Sequence, residues 1–123
     1  MDRLLLVEHN PLFGEGLALL LEWRTGLGSV RVGSLAEARA VLEEKNHKPA
    51  CIIVDLGLPD GEGNELLKRL DGIPVLALIE DRSLHRQAEA MVLGADEVLL
   101  TGSVEKIAAA VERLIGPRSI IAF

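Results

Sequence analysis

Glu8 and Asp55 are the residues of this chain whose type and placement can do chemistry. Each closes a short apolar run, Leu4-Leu5-Leu6-Val7 before the first and Cys51-Ile52-Ile53-Val54 before the second. A carboxylate at the end of a strand buried on both faces sits at the rim of a hydrophobic layer, where charge is costly unless something uses it. Asp55 also leads into the turn-rich Leu58-Pro59-Asp60-Gly61-Glu62-Gly63. His9 follows Glu8, and one imidazole with two carboxylates is a donor set suited to a transition ion. Against that idea, consecutive residues at a strand end need not point into the same space, and nothing fixes a fourth ligand. A partly exposed rim histidine is the plainer reading.

The elements that position these residues alternate between two periodicities. Strands are expected at Leu4–Val7, Val30–Val32, Cys51–Val54, Pro74–Ile79 and Val98–Leu100. Between them, Asn10-Pro11 opens a first helix that Gly26 ends, and Ser34-Leu35-Ala36-Glu37 is a capping box for a second. A third helix runs through Leu66, Leu67 and Leu70. A fourth starts near Ser83 and carries Leu84, Ala88, Met91 and Val92 inward. Ser103 caps a fifth, whose inward stripe is Ile107, Val111, Leu114 and Ile115. Gly14 and Gly16 sit awkwardly in the first helix, whose opening turn is then loose or closely packed. Short apolar strands alternating with helices predict an α/β fold, a doubly wound five-stranded parallel sheet of order 2-1-3-4-5 in a three-layer sandwich. One domain covers residues 1–116, and 117–123 reads as a linker or the start of a connection.

Composition narrows the function classes. The chain has 123 residues, 13 Lys+Arg against 19 Asp+Glu, and a formal net charge of −6. An acidic balance argues against a nucleic-acid grip by this segment itself. No apolar stretch is long enough to span a membrane, which leaves a cytoplasmic domain with no membrane partner. Cys51 alone excludes a disulfide framework and reads as core packing. His47 and His85 read as surface residues. Phe13, Trp23 and Phe123 are too few to sandwich a flavin, and no Ser/Thr/Gly-rich phosphate loop follows the first strand.

In such sheets ligands collect beyond the carboxyl ends of the strands, where the strand order reverses. Glu8, His9, Asn10 and Asp55 to Gly57 lie there, with Ile79, Glu80, Thr101 and Gly102 beside them. Four blocks then carry a resemblance over essentially the whole chain: Val7-Glu8-His9-Asn10-Pro11-Leu12-Phe13, Ile53-Val54-Asp55-Leu56-Gly57-Leu58-Pro59-Asp60-Gly61, Pro74-Val75-Leu76-Ala77-Leu78 and Gly94-Ala95-Asp96. In this order they resemble the receiver domains of two-component response regulators, with the flavodoxin-like fold. The first block, continued through Leu17, is most similar to receivers of LuxR-type transcriptional regulators. The resemblance implies that Asp55 accepts a phosphoryl group from a histidine kinase. It implies that Glu8 is the first of an acidic pair holding Mg²⁺, joined by the backbone carbonyl of Gly57. It also implies a regulatory rather than enzymatic role, with DNA bound only through a further domain outside this chain.

The sequence departs from that pattern at most other pocket positions. His9 stands where the second acid belongs, Ile79 where a switch hydroxyl belongs, and Thr101 where a lysine belongs. Val98 replaces the usual aromatic, and Glu80 a small residue. A lost charge-assisted bond removes about 1.5–3 kcal/mol and a lost hydroxyl about 1 kcal/mol, against the roughly 5.5 kcal/mol that swings a two-state switch. The expectation is an atypical receiver acting mainly by protein–protein contact, with weak Mg²⁺ binding at Glu8, Asp55 and Gly57. The alternative is a working Mg²⁺-dependent phosphoacceptor on Asp55. Glu80 is read either as a permanent stand-in for phosphate charge or as a solvent-facing carboxylate. The alanines 108–110 suggest self-association through the fourth helix, fifth strand and fifth helix, or through the first and fifth helices.

Overall fold

The computed structural model describes residues 3–44, 48–68, 70 and 72–116. Its elements are β1 (Arg3–Val7), α1 (Pro11–Thr25), β2 (Gly28–Val32), α2 (Leu35–Glu43), β3 (Cys51–Asp55), α3 (Asn64–Leu67), β4 (Val75–Ile79), α4 (Leu84–Leu93), β5 (Glu97–Leu100) and α5 (Val104–Ile115). The strands pair in parallel in the order β2-β1-β3-β4-β5, as the alternation of elements predicts. A two-residue antiparallel ribbon between β3 and α3 pairs Gly57 with Glu62 and Leu58 with Gly61.

Side chains alternate across the strands and so build two cores. Leu5, Val7, Ile52, Val54, Ala77 and Ile79 face one way, onto α2, α3 and α4. Leu4, Leu6, Cys51, Ile53, Leu76 and Leu78 face the other, onto α1 and α5. Burial pushes the Cys51 thiol up to about 12, which leaves it an unreactive packing residue.

Most helix ends obey their local signals. The Asn10 side chain accepts from the Phe13 amide, Ser34 from Glu37, and Ser83 from Arg86. Gly26 ends α1 in the left-handed region at φ 75°. Three expectations need correction. Ser103 occupies the N-cap position of α5 but makes no side-chain cap bond, because its backbone is not extended there. The third helix closes at Leu67, one turn after it starts, and Leu70 lies beyond it.

The fourth helix is turned outward. Leu84, Met91 and Val92 are 79%, 49% and 85% exposed, and Ala90 is its buried residue. Its sheet-facing side is built from Ala90 and Leu93, so the longer apolar side chains are left on the surface. On α5, Ala108 and Ala110 are fully buried in the core that holds Leu17 and Leu21 of α1. Small residues let two helices approach closely, and here the neighbour is α1 of the same chain. Residues 117–123 and His47 lie outside the described residues.

Candidate functional site

Parallel register brings the two carboxylates together. Val7 pairs with Val54, so Glu8 and Asp55 are the next residues at the carboxyl ends of adjacent strands. Both are buried, Glu8 at 4% and Asp55 at 1% exposure. Asp55 Oδ1 accepts the Gly57 amide at 2.9 Å. Its Oδ2 faces His9 Nδ1 at 3.9 Å. The same nitrogen lies 4.0 Å from Glu8 Oε2, a buried oxygen with no hydrogen-bond partner among the described residues. Glu8, His9 and Asp55 thus each aim one ligand atom into a common space, all within 4.8 Å of one another. Burial first, and then the adjacent Asp55 carboxylate, push the Glu8 carboxyl up to about 8.

Arg31 holds the Glu8 backbone in place. The Arg31 guanidinium donates to the Glu8 carbonyl at 2.8 Å. A Cβ on Gly14 would sit 2.5 Å from Arg31 Cδ, so this helical glycine is the closely packed one. Gly16 has open space around it.

The open side of the site is a cleft of ≈ 320 Å³ lined by Glu8, His9, Asn10, Phe13, Glu80, Thr101 and Gly102. Glu80 is exposed, and its charge adds to the upward pressure on Glu8. It makes no hydrogen bond to Thr101 among the described residues. The Thr101 hydroxyl instead donates to the Ile79 carbonyl at 3.4 Å. Ile79 is buried in the hydrophobic core, and half-buried Val98 packs against the same cluster.

The loop after β3 contains residues whose roles the sequence reading did not find. Asp60 Oδ1 accepts the Leu35 amide at 2.8 Å and Oδ2 the Ala36 amide at 3.0 Å. Together with Ser34 on the Glu37 amide, Asp60 completes the cap of α2 from across the fold. Those two backbone donors hold the Asp60 carboxyl below its usual range. Gly63 donates to the Leu56 carbonyl at 2.9 Å and returns the chain against β3. A Cβ there would meet the Asp55 carbonyl oxygen at 2.6 Å. A Pro-Asp-Gly turn was legible; that its aspartate reaches a helix 25 residues upstream was not. Asp96 works similarly, its Oδ2 accepting the Val75 amide at 2.7 Å at the start of β4.

The response regulator receiver domain family matches residues 4–112. The chain belongs to this family. A curated relative, the KDP operon transcriptional regulatory protein KdpE of Escherichia coli (strain K12), is 39% identical over 102 residues, covering 80% of this chain and 44% of that protein. The virulence transcriptional regulatory protein PhoP of Salmonella typhimurium is 32% identical over 127 residues, 99% of this chain and 55% of its own length. The receiver therefore spans about half the length of these relatives. A solved response regulator from Burkholderia pseudomallei, with a phosphorylated aspartic acid, superposes with a TM-score of 0.81 at 27% identity, over 99% of this chain and 72% of its own. A LuxR-family DNA-binding response regulator from Staphylococcus aureus shares the fold, with a TM-score of 0.83 at 18% identity over 94% of this chain and 100% of its own.

The family's Mg²⁺ can be tested against the donors present. The orphaned Glu8 Oε2 and the convergent Asp55 Oδ2 fit a divalent cation in charge and reach. The His9 nitrogen does not fit a hard ion that takes oxygen ligands. No helix among the described residues is long and apolar enough to cross a membrane.

Proposed function

We propose that this receiver is an atypical regulatory module of a DNA-binding response regulator in the cytoplasm, working chiefly through protein–protein contact. In this reading its phosphorylation by a histidine kinase at Asp55 is weak, and Mg²⁺ binding at Glu8, Asp55 and the Gly57 carbonyl is weak as well. One observation supports it above the others. The side that would grip and read a phosphoryl group holds Thr101 bonded to a backbone carbonyl, and Ile79, which has no hydroxyl, packed in the core. Both are uncharged, so a dianion bound there loses its cation partner and its hydrogen-bond partner together.

The outward side of α4 supports contact with another copy. Leu84, Ala88, Met91 and Val92 are exposed along it, beside a groove of ≈ 360 Å³ that reaches Val98 and Leu100. Self-association is assigned to this α4–β5–α5 face, and α1 with α5 is the competing surface. DNA contact belongs to a further domain.

Incubation with acetyl phosphate and Mg²⁺, read by intact mass, tests the proposal. The expected result is little or no phosphoryl adduct. A near-complete adduct that Asp55→Ala abolishes establishes the second reading, a working phosphoacceptor. That reading is favoured by the placement of Asp55, buried at the end of β3 and fixed through Oδ1 by the Gly57 amide.

A further inference from the structure

We infer that Glu8, His9 and Asp55 form a binding site for a borderline first-row divalent ion such as Co²⁺ or Zn²⁺, in preference to Mg²⁺. The inference goes beyond the functional reading above and stands whether or not Asp55 is ever phosphorylated.

The geometry carries it. His9 Nδ1 is 3.9 Å from Asp55 Oδ2 and 4.0 Å from Glu8 Oε2. These separations are too long for hydrogen bonds, yet an ion at about 2.0–2.2 Å from each donor spans both. Glu8 Oε2 is an independent pointer to such a ligand, being a buried oxygen on a side chain 5% exposed that has no partner among the described residues. Buried polar groups are rarely left so without a reason such as a bound ion or water. The open cleft above supplies room for water at the other coordination positions.

Donor chemistry then decides the ion. Two carboxylates alone suit hard cations, whereas an imidazole nitrogen shifts preference toward the later transition metals. Mg²⁺ gains little from exchanging an oxygen ligand for nitrogen. Co²⁺ and Zn²⁺ gain a good one.

The test is a titration of the whole chain carrying His47→Ala and His85→Ala. The second change removes the exposed His85–Glu89 pair on α4, whose 4.0 Å separation offers ions a competing surface site. Calorimetry gives Kd for Co²⁺, Zn²⁺ and Mg²⁺, and paramagnetic Co²⁺ locates the site by nuclear magnetic resonance. The expected result is Co²⁺ and Zn²⁺ bound at least about tenfold more tightly than Mg²⁺, with the Co²⁺ effects centred on the amides of residues 8–10 and 55–57. Adding His9→Ala should weaken Co²⁺ by about tenfold or more, and His9→Asp should raise Mg²⁺ affinity at the expense of Co²⁺. Mg²⁺ bound as tightly as Co²⁺, absence of binding by any of the ions, or Co²⁺ affinity unchanged by His9→Ala overturns the inference. The acetyl phosphate experiment reads the functional proposal separately, so either can fail alone.

Discussion

The carboxyl edge of the sheet has two halves of opposite character. Along β1 and β3 it is polar and over-determined: Glu8 is braced by Arg31, Asp55 is held by the Gly57 amide, and the following loop is tied to α2 through Asp60. Along β4 and β5 it is largely apolar, with Ile79 buried, Val98 packed against the same cluster, Thr101 bonded to a backbone carbonyl, and Glu80 exposed at the rim. In the proposed reading, capture of a charged group and its sensing are separable, because each half of the edge is set by the last residue or two of different strands. One half can be rewritten to apolar packing while the other keeps its carboxylates.

The largest effect is expected from disturbing the polar half at its backbone. Gly63→Val places side-chain atoms within 2.6 Å of the Asp55 carbonyl and 2.9 Å of the Leu56 Cα. Neither can move without shifting β3, and a loss of about 3 kcal/mol or more in urea unfolding is expected. A neutral result would show that the loop after β3 is not held as described.

The Glu8 carboxyl gives the next effect, and its sign is definite. Its folded pKa of about 8 lies above the ordinary 4.5, so between those values the folded protein holds a proton that the unfolded chain has released. Stability therefore falls as pH rises through that window, by at most about 1.4 kcal/mol per pH unit for one group. Urea midpoints measured with a chelator present should decline from pH 5.5 to 8, and Glu8→Gln should flatten the decline. A wild-type midpoint that rises over this range contradicts the placement of Glu8 beside Asp55.

The smallest effect is expected in the apolar half. Ile79→Thr exchanges buried hydrocarbon for a hydroxyl and should cost about 1–2 kcal/mol. Combined with Thr101→Lys, it should raise phosphoryl labelling of Asp55 by acetyl phosphate despite that cost. Labelling unchanged in the double variant would place the deficit in the polar half, at His9.

Much of this was legible in the sequence because it depends on local chemistry. Short apolar runs mark four of the strands and the Val30/Val32 alternation the other, while Asn10-Pro11 and Ser34-x-x-Glu37 mark helix starts. Failures cluster where a neighbour decides. Leu84, Ala88, Met91 and Val92 read as an inward stripe, yet the sheet takes the Ala90 side of α4, since the spacing of apolar residues does not say which arc of a helix a sheet will cover. Ala108 and Ala110 of α5, whose small side chains suit close helix approach, are buried in the core shared with α1. Glu8 and His9 are consecutive at a strand end, where side chains can diverge, so the sequence does not mark His9 as a ligand. Here the chain turning into α1 brings its nitrogen back over both carboxylates.

The sequence by itself determined the order of strands and helices, the family, and the chemical types at the carboxyl edge, because periodicity and capping are written within a few neighbouring residues. Only the tertiary structure decided that Glu8 Oε2 is left without a partner among the described residues, that Asp60 caps a distant helix, and that α4 keeps its larger apolar side chains in solvent. Each of these depends on where a second segment of chain lies. That position is set by packing across the sheet, which no local pattern encodes.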